Sequence, residues 1–223
     1  MVASRQIASF AGRITISTRQ RLDLKRPVTD LAHIRAALAR EGRPSSDFDL
    51  NPETVLPEGR KLRPAGVLVA VSDAEDDLEL ILTKRSSALK HHPGQIAFPG
   101  GKQDEEDADV TAAALREAEE EIGLPRGHVE VLGHLPAHET VTGFLVTPVI
   151  AHVSRPFDIV PEPGEVEEVF KVPLRHVLDP SNFVVEGRRW QGRRRHYYAV
   201  PYGPYYIWGA TARMLRAWSD QMM

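Results

Sequence analysis

Apolar and polar positions along the chain change character at Leu62. Before it, residues 1–61 read as an N-terminal extension. Helical spacing there predicts one helix from Thr29 to Glu41, and Arg43-Pro44-Ser45-Ser46 reads as a connection. After it, Ala65-Gly66-Val67-Leu68-Val69-Ala70-Val71 is a short apolar run of the kind that forms a buried strand. Leu78 to Thr83 alternates and predicts a second strand, joined to the first by the acidic turn Asp73 to Asp77. Gly100 to Leu124 is a glycine turn that leads into a helix. Val129 to Leu135 and Val146 to Val153 predict further strands, and the tail Tyr205 to Met214 ends in a helix. The order predicts an α/β (α+β) domain over residues 62–223, a mixed β-sheet packed between α-helices.

Composition narrows the function classes modestly. A chain of 223 residues with 42% hydrophobic content has room for one sizeable globular domain plus the extension. The absence of cysteine excludes disulfides, thiolate metal sites and cysteine nucleophiles, and any metal must be held by oxygen or histidine. A net charge of −3 gives no global attraction to nucleic acid, which is therefore the weaker partner reading. No apolar run is long enough to span a bilayer, so no membrane partner is expected. The first residues carry Arg5, Arg13, Arg19 and Arg21 with no acid before Asp23. That is the composition of an organellar, mitochondrial-type transit peptide, and equally of a basic N-terminal segment on a cytoplasmic protein. The cytoplasmic reading is preferred.

The densest chemistry lies at the end of the helix after the glycine turn. Positions three and four apart share a helix face, so Glu117, Glu120 and Glu121 project together while Leu115, Ala118 and Ile122 can face a core. Like charges at this spacing weaken a helix by a few tenths of a kcal/mol per pair, roughly, and negative charge is disfavoured near a helix C-terminus. A hard divalent cation, Mg²⁺ or Mn²⁺, would reverse that penalty, since such ions are shared between carboxylates and substrate phosphates. Arg116 is placed to pair with Glu120, and Gly123 is a helix stop.

The phrase Arg116-Glu117-Ala118-Glu119-Glu120-Glu121-Ile122-Gly123-Leu124 after a double glycine resembles the signature box of the Nudix hydrolases. Leu82-Thr83-Lys84-Arg85-Ser86, Lys90, Gly94 and Phe98-Pro99-Gly100-Gly101 resemble the extra motif of that family's coenzyme A pyrophosphatase branch, as does Ile207-Trp208-Gly209-Ala210-Thr211-Ala212 near the end. Three departures stand. Asp107 occupies the position of an early loop glutamate, the interval from Gly101 to Arg116 is one residue longer than usual, and Lys90 replaces an arginine. The longer loop is common in the branch.

The resemblance implies a Nudix fold and hydrolysis of the diphosphate of coenzyme A or its thioesters. The products would be 3′,5′-adenosine bisphosphate and (acyl-)4′-phosphopantetheine. It implies metal ligation by Glu117, Glu120 and Glu121. Nudix enzymes often take another carboxylate from a later loop, and Glu165 and Glu168 are the preferred residues in Glu162 to Phe170, a segment that also reads as an acidic helix start. With Glu120 and Arg116 these form the expected catalytic set. Arg85 and Lys90, with Gly100 and Gly101, are implied to hold the substrate, and His91 or His92 could assist. His134 and His138 are expected to serve packing or hydrogen bonding.

Other readings remain open at this point. The acidic helix serves the diphosphate and not the group attached to it, so NADH, ADP-ribose or a nucleoside triphosphate are rival substrates. Arg188-Arg189-Trp190-Gln191-Gly192-Arg193-Arg194-Arg195 interleaves arginine with an aromatic, as a non-catalytic nucleotide- or RNA-binding protein would. Gln191-Gly192 between two strand-like runs predicts instead an exposed hairpin. A homodimer is open.

Overall fold

The computed structural model describes residues 30–75, 77–190 and 192–223. The arginine-rich N-terminal stretch lies outside the described residues. In the extension, α1 spans Leu31–Leu38, shorter at both ends than expected, and is capped by Asp30, whose carboxylate accepts from the His33 N–H at 2.7 Å. Ser45–Ser46, read from sequence as a connection, forms the two-residue strand β1 by pairing in parallel with β7, His138–Glu139. Its partner lies far along the chain, so no local pattern announces it.

The centre is β2, Arg63–Asp73, hydrogen-bonded on one side to β3, Leu78–Arg85, antiparallel, and on the other to β8, Phe144–Val153, parallel. β4, Ile96–Ala97, pairs with β3, and β5, Gly100–Lys102, pairs with β2. β6, Val129–His134, pairs with β8. The acidic segment does not begin a helix. It runs as a turn into β9, Val166–Pro173, an antiparallel partner of β3. Together with β1 and β7 these form one mixed nine-stranded sheet.

Strand periodicity assigns the two faces. Leu68 and Ala70 of β2, Ile81 of β3 and Val149 and Ala151 of β8 face one way, where Ala114, Ala118 and Ile122 of α2, Val110–Ile122, cover them. Val69, Val71, Leu80, Leu82 and Ile150 face the other way. There they meet α1, the short α3 at Leu174–Leu178, and α4 at Gly209–Met222, with Trp218 fully buried. The mixed sheet is packed between helices, as the strand and helix order predicts. Ile34 and Ala37 of the extension belong to this second core. The basic run forms the predicted hairpin from β10, Val184–Trp190, and β11, Arg193–Ala199.

Two glycines place and end α2. A Cβ at Gly66 would stand 1.9 Å from the Val110 carbonyl oxygen, so the start of α2 rests directly on the β2 backbone. Gly123 closes the helix in the left-handed region at φ 72°, and its N–H returns to the Glu119 carbonyl at 3.0 Å.

Candidate active site

Asp109 starts α2 by accepting from the Ala112 N–H at 2.8 Å, and the helix then carries Arg116, Glu117, Glu120 and Glu121 to its last turns. Arg116 is the hub. Its Nε and Nη2 lie 3.1 and 2.9 Å from the two carboxylate oxygens of Asp107, and its Nη1 donates to Glu117 at 3.1 Å and Glu120 at 3.0 Å. The Asp107 side chain is only 6% exposed, and the Arg116 hydrogen bonds hold its carboxyl below the usual carboxylate range. The loop residue that departs from the usual glutamate is thus the anchor of the helix arginine. Sequence spacing located Asp107 but not this role, because the contact exists only once the loop folds back on α2.

The glutamates are not equivalent. Glu121 is 5% exposed, beneath the β5 turn, and accepts from the Gly100 N–H at 3.2 Å. Burial, with Glu117 and Glu165 adding repulsion, pushes its carboxyl up to about 7, against the relief given by Gly100 and Arg85. Glu117 is also raised, first by burial and then by Glu120 and Glu165, while Arg116 opposes. Glu120 stands more open, its side chain 59% exposed. The double glycine is shaped to these carboxylates. Gly100 has φ 148°, and a Cβ on it would stand 2.5 Å from the Gly66 carbonyl oxygen. A Cβ on Gly101 would stand 2.5 Å from Glu117 Oε1.

A late loop is strapped to the end of α2. The Val160 N–H donates to the Ile122 carbonyl at 3.1 Å and the Glu162 N–H to the Glu121 carbonyl at 2.9 Å, satisfying carbonyls that a helix end leaves open. This delivers Glu165 close enough for its charge to act on both Glu117 and Glu121. Arg85, at the end of β3, acts on Glu121 from the same side. Glu168 does not join this group. It sits on β9 opposite Lys84, and its carboxylate accepts from the Tyr205 hydroxyl at 2.5 Å, beside the α4 core. Lys90, His91 and His92 are exposed in the turn between β3 and β4. His134 bonds Thr111 at 2.9 Å, and the buried His138 bonds Ser45 at 2.9 Å and Asp47 at 3.3 Å, the structural roles expected of them.

Among the described residues, no group of three His, Cys, Asp or Glu side chains is already drawn together tightly enough to hold a metal. Arg116 instead draws one oxygen each of Glu117 and Glu120 to its Nη1. The donor set nevertheless fits a hard divalent cation. It is all oxygen, it is partly desolvated, and burial with neighbouring carboxylates raises the proton affinity of Glu117 and Glu121, a repulsion that a cation relieves.

The family model for the NUDIX domain matches residues 62–192. The chain is 40% identical over 154 residues to the uncharacterized Nudix hydrolase NudL of Enterobacter sp. (strain 638), a match covering 69% of this chain and 80% of that one. It is 38% identical over 143 residues to the uncharacterized Nudix hydrolase NudL of Photorhabdus laumondii subsp. laumondii, covering 64% and 76%. A solved Nudix hydrolase from M. smegmatis, RenU, shares 25% identity over 53% of this chain and 75% of that one, with a TM-score of 0.42.

The chain belongs to the Nudix family. It is a pyrophosphohydrolase, of a class that acts on nucleotide-diphosphate-type substrates with divalent cations. No helix among the described residues is long and apolar enough to cross a membrane. The relatives named here are bacterial and give the mitochondrial reading of the N-terminus no support.

Proposed function

We propose that this Nudix hydrolase cleaves the diphosphate of coenzyme A or its thioesters, adding water across P–O–P to release 3′,5′-adenosine bisphosphate and (acyl-)4′-phosphopantetheine. One observation carries the proposal that the chemistry occurs here: two half-buried or buried carboxyls, Glu117 and Glu121, raised by burial and by neighbouring carboxylates beneath a glycine turn. The choice of coenzyme A rests on Leu82 to Ser86, Gly94 and Phe98 to Gly101, which resemble the branch motif with Lys90 in place of its arginine, and which lead from β3 to the glutamates. The catalytic domain in this reading spans residues 62–223, with 1–61 as an extension.

Glu117, Glu120 and Glu121 would hold Mg²⁺ or Mn²⁺, which when bound neutralises diphosphate charge and lowers the cost of attack by water. The chain's own residues do the rest. Glu165, carried by the late loop, accepts the proton of the attacking water. Arg85 faces the same group and receives charge that develops on non-bridging oxygens. Lys90, exposed in the adjoining turn, supplies a second cation to the phosphates. Gly100 and Gly101 let the backbone approach closely. Arg116 is a positioning residue, aiming Glu117 and Glu120 while Asp107 fixes it.

Glu120→Gln tests the site. Glu120 is exposed, so the fold should be kept, while turnover should fall by orders of magnitude because a carboxamide is a poor ligand for hard cations. Near-normal turnover in a folded variant would exclude the glutamate site.

A further inference from the structure

The β3 edge has chemistry on both faces. Arg85 turns toward the glutamates, whereas Lys84, one residue earlier, turns to the α4 side. On that side a cleft of about 380 Å³ opens between β3, β9 and the approach to α4. This is within the usual size range of small-molecule sites. Its walls include Lys84, Ile96, Glu168, Tyr205, Tyr206 and Trp208.

The lining has a specific chemistry. Tyr205 lies flat on Phe170, ring centroids 3.6 Å apart and planes within 8°, so a rigid aromatic platform backs the cleft. Its hydroxyl donates to Glu168 Oε1, which fixes the carboxylate in the cleft wall. Tyr206, 39% exposed, is held by a 2.9 Å bond from its hydroxyl to Glu186, and Trp208 packs against Tyr197 at 5.1 Å. Lys84 is drawn to Glu167 at 2.6 Å. Flat aromatic walls favour a planar ring, since stacking on such side chains is worth a substantial part of base binding. A fixed carboxylate selects a ring that presents N–H donors.

The cleft is also coupled to the glutamates. Gly94 in its wall donates to the Arg85 carbonyl at 3.1 Å, and after β4 at Ile96–Ala97 the chain passes through Phe98 and Pro99 to Gly100, the first residue of β5 and the donor to Glu121. We propose that this cleft takes the amino-bearing purine base of the nucleotide whose diphosphate goes to the glutamates, with the exocyclic amine donating to Glu168. This rests on the proposed diphosphate chemistry for the remainder of the ligand. Within coenzyme A the base is adenine, and the flexible pantetheine arm lies elsewhere.

The test uses ligands without a diphosphate and omits metal, so it does not depend on hydrolysis. Binding of AMP, IMP, ribose 5-phosphate and 4′-phosphopantetheine to the full chain in EDTA would be measured by calorimetry, for wild type, Glu168→Gln and Tyr206→Ala. AMP should bind and ribose 5-phosphate should not. Tyr206→Ala should weaken AMP by about tenfold. Glu168→Gln keeps an oxygen for the Tyr205 hydroxyl but turns an amide N–H₂ to the ligand. It should weaken AMP by about tenfold and reverse the preference between AMP and IMP, whose ring carries an acceptor at that position. AMP affinity unchanged in both folded variants would overturn the proposal, as would binding of 4′-phosphopantetheine in place of AMP that the same substitutions abolish. If AMP binds as stated but coenzyme A is not cleaved, the base site stands and only the coenzyme A assignment falls.

Discussion

Replacing Glu121 with glutamine should make the metal-free protein more stable at alkaline pH, although it alters a buried residue. The carboxyl of Glu121 is pushed up from an ordinary 4.5 to about 7 by burial and by Glu117 and Glu165. A group whose pKa is raised by folding gives its full contribution below the unfolded value and loses it as pH rises through the folded value. Relative to acid conditions, ionised Glu121 therefore weighs against folding above pH 7. At about 1.36 kcal/mol per unit, the shift is worth roughly 3 kcal/mol. Glutamine removes the charge and can still accept from the Gly100 N–H, so its cost at pH 5 should be small. Denaturant unfolding in EDTA at pH 5 and pH 8, where the protein unfolds in two states, compares the two chains. The expected result is near-equal stability at pH 5 and an advantage of about 1 to 3 kcal/mol for Glu121→Gln at pH 8. Excess Mg²⁺ should then favour the wild type, by offsetting the charge that only it carries. An equal loss of stability at both pH values would refute the reasoning, because it would show that Glu121 folds as a stabilising anion.

Three further outcomes follow from the same geometry. Asp107→Asn should loosen Arg116, costing about 1 to 3 kcal/mol in chemical denaturation and lowering turnover as Glu117 and Glu120 lose their aim. Since the Asp107 carboxyl is held low, its contribution is present above the ordinary 3.8 and lost as pH falls further, so wild type and variant should converge in strong acid. Gly101→Ala would put a methyl group 2.5 Å from Glu117 Oε1, so Mn²⁺ affinity measured by calorimetry should drop more than thermal stability does. His138→Ala would leave Ser45 and Asp47 unpartnered by the imidazole in a buried setting, at a cost of about 2 to 4 kcal/mol in unfolding experiments, with little change in kcat.

Periodic, local features were legible in the sequence. The spacing of Ala118 and Ile122 against Glu117, Glu120 and Glu121 places the apolar stripe of α2 on the sheet, and Gly123 ends the helix. The runs at 65–71, 78–83 and 146–153 lie within strands that extend further at one or both ends. What could not be read depended on distant partners. β1 exists only because His138 and Glu139 lie beside it. β9 was concealed by its acids, since Glu162 to Glu168 has the composition of a helix start, whereas pairing with β3 makes it extended. Glu165 and Glu168 look interchangeable along the chain. Glu165 closes the turn that precedes β9, where its charge acts on Glu117 and Glu121 of α2, whereas Glu168 lies on the strand itself and accepts from Tyr205.

The most direct test of the account is to incubate the purified protein with Mg²⁺ and, in parallel, coenzyme A, NADH, ADP-ribose and a nucleoside triphosphate, resolving products by mass and comparing kcat/KM. The account predicts release of 3′,5′-adenosine bisphosphate and 4′-phosphopantetheine from coenzyme A at the highest efficiency. Preferential cleavage of another substrate, with coenzyme A left intact, would contradict it.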